Sequence, residues 1–527
     1  MAICVITTVI MTSRHLLILV IAGIVALHGA GCVSTQKAKK RTAFSPSKEI
    51  LKIAEKEAAP SIAPRSYAHY SMGMIYDNEG NVSQAIEEYL KAVKIDPDAA
   101  PVHYRLGAAY VKLGKANEAI ISLKKAAQLD KKNSRARFLL ALIYTSQQNY
   151  DEAAKEYEEI LKSDPKDLAI LTSLADMYIL GQDLDRAIKI YEELVGERKD
   201  SPLIHFNLGV VYTRATRIKA AAKEFKKAIK LKPDYLEAHL ALAVLFEINN
   251  NIEGAIKHYQ ESIKLDPVNT KLYRQLGQLY FQMDNVKEAI RQYKLLLKFD
   301  PEDVVAYIEL SYIYVADSRI DDAIGLLKEA LLLEERTEDI YLALGFCHSE
   351  KGDKNFAIEA YKKSIEADPF NPKSHFYLGA MLEDAGYRKD ALLQLERSLE
   401  LSSDDPEVLN YLGYIYAEEG INLDKADRFV RKALSMSPNN GAYADSLGWV
   451  YYKRGLFEEA RLELERAIEL IGDDPVVYDH LGDACFKTGA FDQAKEAWQK
   501  SLQLNDNKEV QRKLDELCQK EELISKN

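Results

Sequence analysis

Hydrophobic and polar residues follow a helical period over most of the chain. From Ser66 to about Lys508, apolar residues return every three or four positions, and short polar connectors interrupt the pattern at regular intervals. This pattern predicts a succession of amphipathic helices. A longer period is superimposed on it, because a small residue recurs every 34 residues, with one step of 35. These residues are Gly73, Gly107, Ala141, Ala175, Gly209, Ala243, Gly277, Ser311, Gly345, Gly379, Gly413, Gly448 and Gly482.

A second series of residues keeps the same register. An alanine follows each small residue after twelve positions, or thirteen in the unit with the extra residue, from Ala85 in the first unit to Ala494 in the last. A tyrosine often stands three positions after the small residue, as at Tyr76, and a proline closes many units, as at Pro97. Two small residues that face each other let two helix backbones approach closely, and a proline ends the second helix.

This set of positions resembles the tetratricopeptide (TPR) repeat, in which each 34-residue unit is a pair of helices, A and B. The resemblance covers residues 66–508. It implies an all-α, right-handed superhelical solenoid of about thirteen TPR helix-turn-helix repeats, stabilised by stacking of neighbouring units. Residues 509–527 include Val510, Leu514 and Leu517 among many charges. We expect them to form a capping helix and tail, with a partner-binding tail as the alternative.

The N-terminus contains the one strongly apolar stretch of the chain. Residues Leu16 to Leu27 follow Arg14, and small residues lead up to Cys32. A basic start followed by an apolar run too short to span a bilayer is typical of a secretory signal. The ending Gly-Ala-Gly-Cys resembles the lipobox of bacterial lipoproteins, although Gly29 replaces the usual leucine. The resemblance implies a signal peptide at 1–31, lipid attachment at Cys32 and a tether at 32–65. An uncleaved anchor, or a secreted form without Cys32, is the alternative.

Two further details of this segment concern translation and location. Apolar residues precede the basic group, so translation could begin at Met1 or at Met11. In bacteria that sort lipoproteins by the residue after the cysteine, Val33 instead of aspartate favours the outer membrane; this inference comes from the resemblance. We therefore expect the body at the periplasmic face of a bacterial membrane, lipid-anchored, with the choice of inner or outer membrane open.

Charge and motifs narrow the class of function. The formal net charge is -11, from 81 acidic and 70 basic residues. Acidic and basic residues are interleaved along the chain, so the sequence shows no basic patch of the kind that binds nucleic acid. The sequence contains no His-Glu-x-x-His, Cys-x-x-Cys, Walker A or dinucleotide motif. Asp479 and His480 with Ser446 resemble a catalytic triad only in composition, because these positions belong to the repeat. We expect no enzymatic activity, cofactor, metal site or small-molecule substrate. Cys485 is expected to be a packed thiol, with a bridge to Cys518 as the less favoured alternative.

The resemblance also implies where a partner would bind, because helix A lines the concave surface in this family. On the A helices of the last three repeats, aromatic residues mix with charges of both signs, as in many recognition sites. We call these residues the C-terminal A-face, and they are Asn410, Tyr414, Asp445, Trp449, Tyr452, Lys453, Asp479, Asp483, Phe486 and Lys487. Asp445 and Asp479 could face a basic segment of a partner. Alternatively, Trp449 fills a local gap and the acids are solvated.

Residues 410–504 also resemble a C-terminal cassette of bacterial envelope TPR proteins, through Gly-Tyr-Ile-Tyr from Gly413 and Asp-Ser-Leu-Gly-Trp from Asp445. This resemblance implies a role in envelope assembly or export. We expect a membrane-tethered scaffold that binds protein partners of an envelope complex, such as a secretin or pilus system, an exopolysaccharide exporter or the outer-membrane machinery. The alternative is a cytoplasmic-facing or soluble TPR adaptor or regulatory subunit with a general hub role.

Overall fold

The computed structural model describes residues 62–132 and 134–525, with side chains described as far as residue 519. The expected signal peptide, Cys32 and most of the expected tether, up to residue 61, lie outside the described residues. The described chain contains 27 α-helices, one short 3-10 turn at Leu331–Leu333 and no strand. The all-α fold predicted from the sequence is therefore confirmed.

The helices alternate between the A and B positions of successive repeats. The first seven repeats contain α1 Pro64–Asn78, α2 Val82–Ile95, α3 Ala100–Lys112, α4 Ala116–Leu129, α5 Ser134–Ser146, α6 Tyr150–Leu161, α7 Leu168–Leu180, α8 Leu184–Glu197, α9 Pro202–Arg214, α10 Ile218–Leu231, α11 Leu236–Ile248, α12 Ile252–Leu265, α13 Thr270–Gln282 and α14 Val286–Phe299. The last six contain α15 Val304–Ala316, α16 Ile320–Ala330, α17 Thr337–Lys351, α18 Lys354–Ala367, α19 Pro372–Asp384, α20 Arg388–Leu401, α21 Pro406–Glu418, α22 Leu423–Met436, α23 Gly441–Lys453, α24 Phe457–Ile471, α25 Pro475–Thr488 and α26 Phe491–Leu504, and α27 Lys508–Ser525 follows them.

The small residue of each A helix is the point at which the partner B helix packs most tightly. A Cβ atom added to Gly73 would lie 2.5 Å from the ring of Tyr89, and one added to Gly345 would lie 2.3 Å from Tyr361. Both rings follow their glycine by sixteen residues. All thirteen alanines of the second series are fully buried. The period of small residues therefore reflects close helix approach, where even one added carbon would meet a ring.

The turn between helix A and helix B contains a left-handed residue at the same position in every repeat. The residue seven positions after the small residue has a positive φ in all thirteen repeats. Seven of these residues are glycines. The other six, all in the middle of the array, are Gln148, Gln182, Thr216, Asn250, Asp284 and Ser318. A left-handed residue after a helix satisfies the last carbonyl groups of that helix, as in the bond from the Asn149 amide to the Tyr144 carbonyl.

The described part of the chain divides into two compact units, with the boundary between Leu279 and Tyr280. In the first, called unit 1, the largest core extends from Tyr104 on α3 to Val211 on α9. In the second, called unit 2, it extends from Phe376 on α19 to Ala484 on α25. Unit 2 ends with α27, which packs against α26. Its residues Val510, Leu514 and Leu517 are buried, as expected for a helix that covers the last repeat.

Candidate functional site

The C-terminal A-face lies on three neighbouring A helices of unit 2. Helix α21 carries Asn410 and Tyr414, and α23 contacts both α21 and α25 directly. The remaining members of the face lie on α23 and α25, namely Asp445, Trp449, Tyr452, Lys453, Asp479, Asp483, Phe486 and Lys487. The structure therefore brings the ten predicted residues onto adjacent helices, but their accessibility differs widely.

Trp449 lies at the centre of this face and is mostly buried, with 7% of its surface exposed. Its ring stacks on that of His480, with centroids 4.0 Å apart, and on that of Tyr452, with centroids 4.8 Å apart. The indole Nε1 donates a hydrogen bond to the Glu418 carboxylate on α21. Aromatic stacking together with a satisfied indole N–H is the normal state of a buried tryptophan. Trp449 thus links three A helices and is largely withdrawn from the surface.

Asp445 is also buried and accepts a hydrogen bond from Nδ1 of His480 at 2.9 Å. Burial disfavours a charge on the His480 ring, but this hydrogen bond and the nearby carboxylates outweigh burial and raise the pKa of His480. The basic group that faces Asp445 therefore belongs to the next repeat of the same chain. The Ser446 hydroxyl donates to the Ala442 carbonyl at 3.0 Å, which engages it within its own helix.

Asp479 and Asp483 together hold a lysine of the last helix. Nζ of Lys513, on α27, lies 2.8 Å from a carboxylate oxygen of each. Asp483 also accepts a hydrogen bond from Nε1 of Trp498 at 3.3 Å. Burial raises the pKa of Asp483 even though Lys513 acts in the opposite direction. The pair of acids therefore binds a basic side chain, and in this structure that side chain is internal.

The other six members of the face are more accessible or lie at its edge. Tyr452 and Lys453 are partly exposed, and Nζ of Lys453 lies 4.9 Å from the centre of the Trp449 ring. Phe486 is partly exposed beside Phe491 and Trp498, while Lys487 is exposed. Tyr414 is partly buried, and burial with the nearby Glu418 and Asp445 carboxylates raises its pKa. Asn410 has a buried Oδ1 that accepts no hydrogen bond within the described chain.

Three residues that organise this face were not predicted as members of it: Glu418, His480 and Lys513. Glu418 stands five positions after Gly413, and Lys453 and Lys487 occupy the equivalent positions after Gly448 and Gly482. The repeat register could therefore have identified Glu418 as a member of the same row. Lys513 follows Asp479 by 34 residues. His480 and Lys513 each reach back to an acid on the preceding A helix, so the face contains a short ladder of charged pairs.

The thiols, the acidic and histidine side chains and the surface depressions of the described residues complete the description of this region. Within the described ranges, no group of three His, Cys, Asp or Glu side chains could hold a metal ion. The thiols of Cys347, Cys485 and Cys518 are free, and burial raises the pKa of Cys347 to about 12 and that of Cys485 to about 11. An open depression of about 710 Å³ lies at the turn before α23, beside Asn440 and Asp474, and its lining includes no member of the C-terminal A-face. No described helix is long and apolar enough to cross a membrane.

Sequence comparison identifies the repeat. Family models described as "TPR repeat" or "Tetratricopeptide repeat" match residues 73–114, 114–176, 144–208, 203–235, 248–284, 274–341, 338–371 and 476–508. Together these ranges cover more than half of the chain. No curated protein sequence matches the chain.

Several solved structures resemble the fold. The APC/C hetero-tetramer Cut9–Hcn1 aligns with a TM-score of 0.42 and 16% identity, over 86% of this chain and 96% of that chain. The structure of Naa15/Naa10 bound to HypK-THB aligns with a TM-score of 0.41 and 18% identity, over 83% and 68%. The MamA protein aligns with a TM-score of 0.28 and 25% identity, over 32% of this chain and 92% of that chain.

Proposed function

Since this chain belongs to the tetratricopeptide repeat family, we propose that it is a protein-interaction scaffold, tethered to a bacterial membrane through Cys32 and exposed to the periplasm. In this proposal its partners are proteins of an envelope complex, whose assembly or export it assists. The C-terminal A-face is its main binding surface.

The observation that carries the proposal is the construction of the C-terminal A-face. Tyr452 and Lys453 remain partly exposed, and both rest on the buried ring of Trp449, which Glu418 and His480 hold from neighbouring helices. Accessible aromatic and charged groups that are fixed by such a buried layer lose little conformational entropy when a partner binds. Aromatic anchors of this kind provide most of the binding energy in protein interfaces.

The most direct test is photo-crosslinking in the native cell. An aromatic photoreactive amino acid at Tyr452 probes the face at an accessible position and leaves the buried Trp449 itself in place. The matched control is Gln499, an exposed residue of helix α26 in the same unit. We expect the Tyr452 probe to capture one dominant envelope protein that the Gln499 probe misses. Capture of the same diffuse set of proteins at both positions would contradict a binding role for this face.

The anchor has a separate test, because the apolar stretch Leu16–Leu27 and the lipobox-like ending at Cys32 are sequence features outside the described residues. We expect metabolic labelling with a palmitate analogue to mark the full chain, and Cys32→Ser to abolish the label. The matched control is Cys518→Ser, which should leave labelling unchanged. Two or more acyl chains hold a protein on a bilayer stably, so Cys32→Ser should also release the protein from the membrane fraction.

Export distinguishes the proposal from a cytoplasmic-facing adaptor. Alkaline phosphatase fused after residue 65 should be active if the repeats are exported. An inactive fusion with normal expression would place the repeats in the cytoplasm and support the adaptor role. This outcome would leave the binding role of the C-terminal A-face open to the crosslinking test.

A further inference from the structure

The first helix of the array exposes an apolar stripe. Ala68, Met72 and Ile75 follow one another at helical spacing on α1, and all three are exposed, Met72 at 43% and Ile75 at 50%. The buried residues Ser66, Tyr70 and Gly73 lie on the opposite side of the helix. We call Ala68, Met72 and Ile75 the N-terminal stripe. A helix that is apolar on two opposite sides normally packs against neighbours on both.

The equivalent stripe is buried in the repeats that follow. In the second repeat it packs into a core shared with Ile86 and Ala92 of the preceding B helix. Adding 34 or a multiple of 34 to the numbers of the N-terminal stripe gives, for example, Val102, Leu106 and Ala109 in the second repeat, Ala136, Leu140 and Ile143 in the third, and Ala238, Leu242 and Leu245 in the sixth, all of them buried. The N-terminal stripe therefore has the composition and spacing of a joint between repeats, without a preceding B helix among the described residues.

The sequence just upstream has the pattern of a helix that could form this joint. Within residues 48–59, Ile50, Ile53, Ala54 and Ala58 share one helical face, while Lys52 lies on the opposite one. Four residues, 60–63, separate this segment from the start of α1. Four residues, 96–99, also separate helix α2 from α3. In the sequence, the segment therefore precedes α1 at the same distance at which the B helix α2 precedes α3.

We propose that residues 48–59, whose apolar residues recur at helical spacing in the sequence, dock on the N-terminal stripe. This assigns a docking role to part of the segment that the sequence pattern had placed in the tether. The interface continues the series of joints between repeats, in which the A helix receives the apolar face of the B helix before it. A four-residue connection gives an effective concentration in the millimolar range, so docking within one chain outcompetes pairing of two copies through the same stripe.

The proposal does not depend on lipidation of Cys32. It does change what a tether can do, because residues 33–47 alone would then separate Cys32 from the folded body. A fully extended chain spans at most roughly 3.5 Å per residue, so this distance is limited to about 50 Å. The reach of the scaffold from the bilayer would therefore be set by this short segment and not by the whole of 33–63.

Hydrogen exchange on the full chain, carrying Cys32→Ser so that it stays unlipidated, tests the proposal. Ile53→Asp places a charge on the apolar face of the segment, and Lys52→Asp, on the opposite face, is the matched control. We expect Ile53→Asp to accelerate exchange of the α1 amides by about tenfold, since burial of one isoleucine is worth at least that factor. Lys52→Asp should leave exchange of α1 unchanged. Equal exchange in both variants would overturn the proposal, and an unchanged circular dichroism spectrum would show that the repeats remain folded.

A second measurement identifies the occupant directly. A photoreactive amino acid at Met72, followed by proteolysis and mass spectrometry, should link position 72 to a peptide from residues 48–59 of the same chain. A link between two copies, together with a dimer that Met72→Lys dissociates, would show that a second copy covers the stripe. That result, or the absence of any link to 48–59, would refute the proposal. Neither outcome bears on the C-terminal A-face, so this test is independent of the proposed function.

Discussion

Unit 1 and unit 2 each contain a histidine that is hydrogen-bonded to a side chain on a neighbouring helix, but the partner is a second histidine in unit 1 and an aspartate in unit 2. In unit 1, Nδ1 of His239 on α11 lies 3.1 Å from Nδ1 of His258 on α12, and Nε2 of His239 lies 3.1 Å from the Pro233 carbonyl. A carbonyl only accepts, so His239 donates from Nε2 and accepts from His258 at Nδ1. In unit 2, His480 donates to the carboxylate of Asp445.

The difference shows that the partner, and not burial alone, decides which form of the ring is stable. Burial lowers the pKa of His258, and His239, Lys257 and Lys226 lower it further against the effect of Glu261, to about 4. Burial also opposes a charge on His480, yet Asp445 reverses the outcome and raises its pKa. Acid should therefore lower the stability around His239 and His258 in unit 1, while the Asp445–His480 pair in unit 2 keeps its stabilising effect in acid.

The largest expected loss of unfolding free energy comes from removal of the Asp445 carboxylate in unit 2. Asp445→Ala leaves the buried His480 without its counter-ion, and breaking one partner of a buried pair typically costs about 3–5 kcal/mol of unfolding free energy. Thermal unfolding, with hydrogen exchange to locate the loss in unit 2, measures this cost. The control is Asp473→Ala, which removes an exposed partner of Lys500 and should cost less than about 1 kcal/mol. Similar losses in both variants would show that the buried Asp445–His480 pair stabilises the fold no more than an exposed ion pair does.

The next effect tests the packing beside the unit 1 pair. Ala255 is fully buried and lies on α12, one turn before His258. Ala255→Leu should overpack the contact between α11 and α12 and cost roughly 1–3 kcal/mol of unfolding free energy. Glu253→Leu adds a similar side chain at an exposed position of the same helix and should be nearly neutral. An unchanged melting curve for Ala255→Leu would contradict the repeat register.

The next effect is a difference in how the helix pair α11–α12 and the helix pair α23–α25 respond to acid. The native pKa of His258 lies below its unfolded value, so the stability of unit 1 falls as the pH is lowered from 6.5 towards 4. Between pH 7 and pH 5 we expect a loss of about 1 kcal/mol, because solvent screens the charge on this half-buried ring, and hydrogen exchange in α11 and α12 measures the loss. His258→Gln should remove this dependence.

Because the pKa of His480 is raised and not lowered, its contribution to stability changes with pH in the opposite direction from that of His258. Its stabilisation is fully present below the unfolded pKa of about 6.5 and declines as the pH rises through the higher native value. Exchange in α23 and α25 should therefore slow, or stay constant, over the acid range in which α11 and α12 loosen. Parallel loosening of both regions would contradict the difference between the pairs.

The smallest effects concern the turn between the A and B helices. Thr216 in unit 1 has a φ of 56°, a conformation that a β-branched residue rarely adopts, whereas Gly352 occupies the same position in unit 2. Thr216→Gly should raise the melting temperature slightly, by a gain of about 0.5 kcal/mol, because relief of the strain exceeds the entropy cost of glycine. Gly352→Ala, in open space, should lose about 1 kcal/mol. A destabilised Thr216→Gly variant would show that the hydrogen bond from the Thr216 hydroxyl to the Ala215 carbonyl, at 2.7 Å, outweighs the backbone strain.

The sequence was sufficient for the fold because the joints impose strict size limits. Only a small residue fits where Gly345 meets Tyr361 or where Ala255 is enclosed, and such limits recur as a visible period. The left-handed turn position was harder to predict from the sequence, because residues such as Gln148 and Thr216 occupy it in place of glycine.

The candidate site could be predicted only as a set of residues on one face. A helical projection places Trp449 beside Tyr452, but it cannot show that His480 and Glu418 reach across from two other helices and bury the indole. It also cannot show that Lys513 satisfies Asp479 and Asp483. Burial of this face depends on side-chain contacts between repeats, which a pattern within one helix does not contain.

The repeated joint also bears on how such a gene can change. Deletion of residues 102–135 would bring Ala136, Leu140 and Ile143 against α2, where Val102, Leu106 and Ala109 pack now, and these residues share the same apolar character and spacing. Unequal recombination between repeats can therefore add or remove a whole 34-residue unit without the need for a new interface. The number of repeats can thus change rapidly in evolution, while the residues of the first and last repeats stay the same.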